Sequence, residues 1–168
     1  MNHVFLGLGT NLGQRRLNLQ RAVAGLAAGM RITAVSPIYE TPPWGLTEQP
    51  PFLNMCLAAR TTLSPLALLA FAKNLEIEMG RKPAERWGPR LIDIDLLFYD
   101  KLIVSDGTIA VPHPRLHERA FVLAPLADIA PDFVHPLRGL TLTQMAAAVD
   151  MAGVKQRSDI QLQIPMLS

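Results

Sequence analysis

The sequence predicts an α+β protein, an α/β sandwich in which helices pack on a mixed or antiparallel sheet around a ferredoxin-like core. Apolar residues recur first at strand spacing and then at helical spacing along the chain. The resulting order is βαββαβ with further short elements, so that helices are interleaved among strands. The 168 residues are 49% apolar and 18% charged, which suits one ordered domain with a sizeable core.

The first half of the chain alternates strands and helices around one long loop. Apolar residues from Leu19 to Leu26 recur at helical spacing after the first strand. Ser64 and Pro65 are a typical N-cap and first-turn pair for the second helix. Four prolines and a glycine predict a loop of a length that is often functional. The expected bounds are strand 3–8, helix 14–28, strand 31–39, loop 41–51, strand 52–61 and helix 66–79.

The second half begins with another long loop, residues 80–89, followed by a strand over residues 91–99. A hairpin is expected at Asp106-Gly107, and helices are expected over residues 121–129 and 142–149. We expect residues 1–150 to form the single domain. Residues 151–168 would be a C-terminal tail, loosely held from Lys155 onwards because little pattern remains there.

Composition limits the partners and the compartment. The net charge of +2 is too small to imply nucleic acid by itself. Twelve of the sixteen basic residues are arginine, whose planar fork suits phosphate and carboxylate groups. The single cysteine, Cys56, excludes an intrachain disulfide and fits a reducing cytosol. The N-terminus lacks a signal-peptide pattern, and no apolar run is long enough to span a membrane. We therefore expect a cytoplasmic protein that binds small molecules, with no nucleic-acid or membrane partner.

Two carboxylates interrupt the apolar strand over residues 91–99. Alternate residues of a strand share a face, so Asp93 and Asp95 are expected to point the same way, with their Cα atoms roughly 6.5–7 Å apart. Two ionised carboxylates this close repel each other, and a cation between them would stabilise the pair. Oxygen ligands of this kind suit Mg²⁺. The alternative is a solvated, acidic strand end. The opposite, core-facing side is expected to carry Ile92, Ile94, Leu96 and Phe98.

A basic loop immediately precedes this acidic pair. Positive charge is concentrated there against the single Glu85. Arginine-rich loops beside a two-carboxylate metal site are suited to polyphosphate, because metal and guanidinium groups bind different phosphate oxygens. A solvated basic loop is the alternative. The basic residues of this stretch are Arg81, Lys82, Arg86 and Arg90.

The stretch "GLGTNLG" invites comparison with a dinucleotide-binding motif. Gly7 and Gly9 fit that motif, but Leu12 stands where the third glycine should be, and no P-loop exists in the sequence. We therefore expect these two glycines to let the first strand turn tightly into the first helix.

Several single residues are weaker candidates. His113 is rigidly placed between two prolines, although a lone histidine is usually structural. Asn54 is either a turn residue or a reader of a flat ring's donor and acceptor edge. Trp44 and Trp87 are the two tryptophans, and both lie in the long loops. On helix 66–79, Glu76 would by default belong to a solvated face.

Taken together, these residues resemble the 6-hydroxymethyl-7,8-dihydropterin pyrophosphokinases of folate biosynthesis. The resemblance covers residues 3–135, and "RWGPR" followed by Asp-Ile-Asp is its most specific part. It implies a monomeric α/β sandwich with a ferredoxin-like core. Such an enzyme transfers the β,γ-pyrophosphoryl group of ATP to the pterin hydroxymethyl oxygen and releases AMP. The motifs are "LGLGTNLG", "YETPPWG", "FLN", "ERWGPRLIDIDLL" and "VPHPRLHERAFVLAPL".

The resemblance also implies residue roles. Asp93 and Asp95 would ligate two Mg²⁺ ions that bridge the triphosphate of the co-substrate ATP. With these two residues, Arg81 and Arg90 would form the catalytic set by holding phosphates. The nucleotide would further be bound by Glu76, Trp87, His113 and Arg119. The pterin would lie between Phe52 and Phe121 and would be read by Thr41, Pro42, Trp44 and Asn54.

Two positions depart from the family pattern. Members often carry a second arginine shortly after the position of Arg81, where this chain has Lys82 and Pro83. Thr10 replaces the usual serine of the stretch that follows the first strand.

Two rival classes remain open at this stage. Aspartyl-nucleophile phosphatases also use Asp-x-Asp, but their nucleophile follows an apolar strand, and the expected threonine after the second aspartate is missing here. A non-catalytic ferredoxin-like module for nucleotide or RNA is the other rival, although the strands lack the aromatic pairs that such RNA modules use. Release of AMP would separate the three.

Overall fold

The computed structural model describes residues 1–43, 48–81 and 89–165. Its helices and strands follow the order expected from the sequence, with three additional short strands. The strands are β1 (Asn2–Thr10), β2 (Arg31–Val35), β3 (Tyr39–Thr41), β4 (Phe52–Thr61), β5 (Asp93–Tyr99), β6 (Val104–Ser105), β7 (Ala110–Val111) and β8 (Lys155–Gln156). The helices are α1 (Arg15–Ala27), α2 (Pro65–Glu78), α3 (Ala120–Ile129) and α4 (Leu142–Ala147), with a 3₁₀ turn at Leu116–Glu118.

The main sheet has the order β5-β1-β4-β3-β8, and β2 also pairs with β4. Every pairing in it is antiparallel. If β2 and β3 are counted as one position, the unit β1-α1-β2/β3-β4-α2-β5 has the spatial order 4-1-3-2. This is the split βαβ arrangement of ferredoxin-like cores. The predicted α+β fold class is therefore confirmed.

Helices cover both faces of the sheet. On one face α1 and α2 pack through Leu19, Leu26 and Leu68 onto the even-numbered residues of β1. On the other face α3 and α4 pack around Phe5 and Phe98. Each sheet face is thus closed by a helical pair, which is the three-layer solution for a sheet that is apolar on both sides.

The expected strand over residues 31–39 is two strands. Pro37 has no N–H group for the sheet ladder, so pairing is interrupted there. Ser36 compensates on both sides of the break: its N–H donates to the Cys56 carbonyl at 2.9 Å, and its hydroxyl accepts from the Cys56 N–H at 2.9 Å. The chain then pairs with β4 again as β3, nearer to the start of β4 than the residues that pair with β2.

Strand β5 contains a bulge, and the residues after it face the opposite side of the sheet from the one that the sequence predicts. Phe5 pairs with Phe98 and Leu6 pairs with Leu96, which leaves Leu97 as the extra residue. Up to Leu96 the predicted alternation holds. Beyond it the faces exchange, and Phe98 packs in the α3/α4 layer. The expectation that Phe98 shares a face with Ile92, Ile94 and Leu96 is therefore wrong.

The C-terminal segment is held on the domain, so the expectation of a loose tail is wrong. Ile160, Leu162 and Ile164 pack against the α1/α2 core layer. The Gln163 N–H donates to Gln20 Oε1 at 2.7 Å, and the Gln163 carbonyl accepts from Gln20 Nε2 at 2.6 Å. The sequence does contain a sign of this packing, because these three apolar residues occupy alternate positions. The domain boundary at residue 150 stays a prediction.

Within the described residues, the helices are too short and too polar for any of them to be a candidate membrane span.

We expect Phe98→Ala to lower the free energy of unfolding by about 3–5 kcal/mol, because it empties a fully buried site in the α3/α4 layer. The ring lies edge-on to Phe5 with centroids 5.9 Å apart, a contact that alanine also loses. Leu66→Ala is the matched control, since Leu66 is 53% exposed and its loss should change stability by less than about 0.5 kcal/mol. Urea unfolding of both variants measures the difference; equal losses would contradict the assignment of Phe98 to a core layer.

Candidate active site

A pocket opens on the α3 side of the sheet, at the ends of β1, β4 and β5. It has about 860 Å³ of space, including its mouth. Its polar wall comes from β5, from the chain between α2 and β5, and from the residue before α3, and its apolar wall comes from β4 and α3. The lining includes Gly7, Gly9, Thr41, Pro42, Phe52, Asn54, Arg81, Arg90, Asp93, Asp95, Arg119 and Phe121.

The sheet register brings the two walls to one face. Asp93 pairs with Gly9, and Gly9 pairs with Asn54 on the other side. Residues that pair across antiparallel strands point to the same face. Asp95 similarly pairs with Gly7. The central strand contributes no side chain between the acidic wall and the β4 wall, and the floor of the pocket stays open.

The two glycines therefore do not make the tight turn that the sequence suggested. Both lie inside β1. A Cβ on Gly9 would lie 2.9 Å from Asn54 Oδ1, closer than a side-chain atom tolerates. The signal for this role was available, because glycines at alternating positions of an apolar strand mark a close approach of another group.

Asp93 and Asp95 share a face, as predicted, and both line the pocket. Burial, followed by the charge of Asp93, raises the pKa of Asp95 to about 7, while Lys73 and Arg119 act in the opposite direction. Within the described residues, no group of three or more Asp, Glu, His or Cys side chains is arranged so that it could hold a metal ion. A cation here would thus take two protein carboxylates and complete its shell with other oxygens, which is typical of Mg²⁺.

An arginine accompanies each carboxylate. Arg81 Nη1 donates to Asp93 Oδ1 at 3.0 Å, and Arg119 Nη1 lies 3.8 Å from Asp95 Oδ2. Burial lowers the pKa of Arg119. The Nε of Arg119 is buried and has no hydrogen-bond acceptor within the described part of the chain. An anion at this wall would satisfy that donor.

Glu76 lies beneath the pocket rather than in it. Its side chain is 3% exposed and accepts from Arg81 Nη1 at 2.5 Å. Its other oxygen accepts from the Ile94 N–H at 2.7 Å, while Lys73 Nζ donates to the Ile94 carbonyl at 3.0 Å. The open edge of β5 is therefore paired by two side chains of α2. Since Ile94 stands between the two aspartates, this clamp fixes both of them. The predicted nucleotide contact of Glu76 would have to act through Arg81.

The backbone of Arg90 is held by Asn11, a residue that sequence reasoning missed. The Arg90 N–H donates to Asn11 Oδ1 at 2.7 Å, and the Asn11 N–H donates to the Arg90 carbonyl at 3.0 Å. The Asn11 amide also donates to Gln49 Oε1 and to the Pro50 carbonyl, each at 2.9 Å. One buried side chain thus joins the described ends of both long loops. Its signal was limited to a polar residue directly after an apolar strand.

His113 lies outside the lining of the pocket. Its N–H donates to the Leu97 carbonyl at 2.9 Å, so the bulge of β5 fixes its position. Its Nδ1 accepts from the Arg115 N–H at 3.2 Å, which leaves the proton of the neutral ring on Nε2. Burial, and then the charge of Arg119, lower the pKa of His113 to about 4. The ring is therefore neutral at physiological pH.

The apolar wall contains the residues that the resemblance assigned to a flat ring. Phe52 comes from β4 and Phe121 from the first turn of α3, and both line the pocket with Pro42. Asn54 Nδ2 donates to Thr41 Oγ1 at 2.9 Å, which fixes the orientation of the amide. The predicted contacts of Trp44 and Trp87, like Lys82, lie outside the described residues.

The fold and the pocket define a class of protein: an α+β enzyme with a charged half suited to metal and polyphosphate, and an aromatic half suited to a planar ring. Residues 5–131 match the family model of 7,8-dihydro-6-hydroxymethylpterin-pyrophosphokinase (HPPK). The chain belongs to this family.

Curated relatives agree with the family model. The chain is 46% identical over 158 residues to the 2-amino-4-hydroxy-6-hydroxymethyldihydropteridine pyrophosphokinase of Methylorubrum extorquens, covering 93% of this chain and 99% of that one. The Bacillus subtilis protein of the same name is 45% identical over 132 residues, covering 77% and 79%.

Solved structures support the fold. The wild-type Plasmodium falciparum HPPK-DHPS crystallised with SDX-DHP aligns with a TM-score of 0.74 at 16% identity, over 87% of this chain. This chain spans 44% of the length of that one.

We expect Asp95→Asn to raise the melting temperature of the metal-free protein at pH 8. The folded-state pKa of Asp95 lies above the ordinary value, so its ionised form destabilises the fold. Wild-type stability should therefore rise as the pH falls from 8 towards 5, where the folded state binds a proton that the unfolded state does not. The variant should lose that rise. Thermal melts in EDTA measure both effects; a variant that melts lower than wild type at pH 8 would contradict this.

We expect Asn11→Ala to destabilise the protein by about 1–3 kcal/mol, because it leaves the partly buried Arg90 N–H without its acceptor. Amide exchange should accelerate at Gln49 and Arg90. Asn18→Ala is the control: Asn18 is also buried and donates to Thr10 Oγ1 at 3.1 Å and to the Leu12 carbonyl at 2.8 Å, and neither bond involves Arg90 or Gln49. Hydrogen exchange with mass spectrometry compares the two variants. The same exchange pattern in both would argue against a specific role of Asn11.

Proposed function

We propose that this chain transfers the β,γ-pyrophosphoryl group of ATP to the hydroxymethyl oxygen of 6-hydroxymethyl-7,8-dihydropterin and releases AMP, in folate biosynthesis. Membership of the pyrophosphokinase family supports this reaction. The observation that carries it is the joining of the Asp93/Asp95 wall and the Phe52/Phe121 wall in one pocket. A phosphate donor and a planar acceptor would thereby meet at its centre.

Asp93 and Asp95 would hold magnesium, with two ions as the proposed number. The two carboxylates fit this metal because they supply hard oxygen ligands and leave coordination positions for phosphate oxygens. When bound, magnesium neutralises charge on the triphosphate and lowers the pKa of a neighbouring carboxyl group. Asp95 would then be ionised at neutral pH and serve as a ligand rather than as a base.

The arginines would hold the triphosphate. Arg119 presents the unsatisfied Nε donor beside Asp95, and Arg81 and Arg90 line the same wall. Arg81 is oriented by Glu76, so Glu76 supports the nucleotide indirectly. The neutral His113 ring can donate its Nε2–H to a phosphate oxygen. These groups place guanidinium charge where negative charge develops during transfer.

The pterin would bind between Phe52 and Phe121. The two rings supply apolar faces, while the Asn54 amide and the Thr41 backbone and hydroxyl supply the donors and acceptors that a pterin edge requires. Asn54 is held by Thr41 before any ligand arrives, so little freedom is lost on binding. Pro42 closes the same wall.

Catalysis would depend on positioning. The acceptor hydroxyl must approach the β-phosphorus in line with the departing AMP oxygen, and phosphoryl-type transfers need little covalent help from the protein. Exclusion of water is required as well, because water would compete as the acceptor. The loops that contain Trp44 and Trp87 are the segments proposed for that task.

We also propose that the protein is a cytoplasmic monomer without a nucleic-acid or membrane partner. The buried, reduced Cys56 is consistent with a reducing compartment. The Ile94 peptide at the β5 edge is paired by α2 side chains, which reduces the tendency of that edge to recruit another strand.

The alternative is a ferredoxin-like module that binds a nucleotide without catalysis. Incubation with ATP, Mg²⁺ and the hydroxymethyldihydropterin separates the two proposals. Stoichiometric AMP and pterin diphosphate support the pyrophosphokinase. Binding without AMP would support the module, and ADP or inorganic phosphate would indicate a different transfer.

We expect Asp93→Asn and Asp95→Asn to lower kcat by at least about a hundredfold, because each removes a fixed charge from the site that balances the triphosphate. Both variants should remain folded, and their magnesium dependence should shift to higher concentration. Asp132→Asn, at an exposed position, is the control. The measurement is AMP release as a function of Mg²⁺. Near-normal turnover in both variants would refute the metal assignment.

A further inference from the structure

Residues 150–165, here called the C-terminal strap, lie outside the family match, which ends at residue 131. They cross the sheet edge next to the proposed pterin wall. Three separate contacts connect the strap to residues 38–42, the segment that leads into that wall.

The first contact is between Gly153 and Pro42. Gly153 has φ +82°, a conformation that favours glycine. A Cβ at this position would lie 3.0 Å and 3.1 Å from Pro42 Cγ and Cδ. The strap is therefore in close contact with a residue that lines the pocket. A second cavity, bounded by the strap at Val154 and by Phe121 on α3, lies on the outer side of Pro42.

The second contact is strand pairing. In β8, Gln156 pairs with Tyr39 and Lys155 pairs with Glu40 of β3. The Arg157 N–H donates to the Ile38 carbonyl at 2.7 Å. β8 therefore pairs with two of the three residues of β3, on the side opposite β4. The third residue, Thr41, follows the paired Glu40 directly and pairs with Phe52 of β4.

The third contact is a shared carboxylate. Glu40 Oε2 accepts from Arg157 Nη1 at 3.0 Å and from Arg15 Nη1 at 2.7 Å. Arg15 Nη1 also donates to the Pro51 carbonyl at 3.0 Å. Glu40 thus connects the strap to both described ends of the first long loop. The other side of the Arg157 fork is held by Asp159, with two contacts of 2.9 Å.

We propose that Arg157 is a positioning residue for the pterin wall, acting through Glu40 and β3. This rests on the proposed function. Thr41 follows Glu40 directly, and its hydroxyl accepts from the Asn54 amide at 2.9 Å. If β3 shifts, the amide that reads the pterin edge loses its fixed orientation. The strap therefore preorganises pterin binding, and none of the three contacts involves the Asp93/Asp95 wall or its arginines.

The test is the affinity of Arg157→Ala for both substrates. Calorimetry with the pterin, in the presence of Mg²⁺ and a non-hydrolysable ATP analogue, should show a Kd raised roughly threefold to tenfold. The Kd of the ATP analogue should stay within about twofold, and KM for the pterin should rise more than kcat falls. Arg157→Lys should recover part of the loss, because lysine can still reach Glu40.

Two further variants exclude a general loosening of the strap. Arg16→Ala removes a different anchor, the 2.9 Å bond from Arg16 Nε to the Gln161 carbonyl, and should leave pterin affinity unchanged. In a double-mutant cycle, Glu40→Gln and Arg157→Ala should be non-additive because they share one contact. Unchanged pterin affinity in Arg157→Ala would overturn the proposal. An equal loss in Arg16→Ala or for the nucleotide would overturn it as well.

Amide exchange of residues 39–41 in the substrate-free protein is the readout that does not depend on activity. Arg157→Ala should accelerate it, and Arg16→Ala should not. A wild-type chain that binds neither substrate would refute the proposed function. Unchanged exchange in Arg157→Ala would instead refute the positioning role.

Discussion

The site depends on one constraint, which is the electrostatic cost of keeping Asp93 and Asp95 side by side on a partly buried strand. The surrounding structure offsets part of that cost and holds the strand in place against the remainder. Arg81 and Arg119 face the carboxylates directly. Lys73 and Glu76 hold the intervening Ile94 peptide from α2, so the strand cannot twist to separate the two charges. The pair remains strained, as the raised pKa of Asp95 shows, and a divalent cation would relieve that strain.

The pocket exists because the sheet lacks side chains where other sheets would carry them. Gly7 and Gly9 leave the centre of the α3 face open, and the bulge at Leu97 fills the space beside them from the next strand. Polar groups of β5 and aromatic groups of β4 can therefore face the same pocket across β1 without a large cavity in the core. The same bulge provides the carbonyl that binds the His113 N–H, so a break in the ladder also orders the turn before α3.

Preorganisation of the site is distributed over residues that lie outside the lining of the pocket. Asn11 binds the ends of two loops, Glu76 orients an arginine, and the strap restrains β3 through Arg157. Each uses a side chain to satisfy a backbone or charged group of another segment. Such contacts place reacting groups at little entropic cost on binding, which is what a transfer reaction between two bound substrates requires.

Local sequence determined the helices and most strands, because hydrophobic spacing and turn residues act over a few residues. It also determined the acidic pair on one face and the family, since Asp93 and Asp95 sit in a motif that is nearly contiguous. Pro37 marks the break between β2 and β3, but the residues on either side of it predict one continuous strand. The only sign in the sequence that Ile160, Leu162 and Ile164 pack onto the domain is their alternate spacing.

Only the tertiary structure decided the rest, because it depends on strand register and on contacts between distant segments. No local pattern shows that Gly9 faces Asn54, or that Leu97 is a bulge that moves Phe98 to the other layer. Nor does any show that Asn11 meets Arg90, 79 residues away, or that Arg157 meets Glu40, 117 residues away. Short-range chemistry in the sequence thus identified the candidate site residues. The long-range pairing of the sheet determined which of them share a pocket and which hold it in shape.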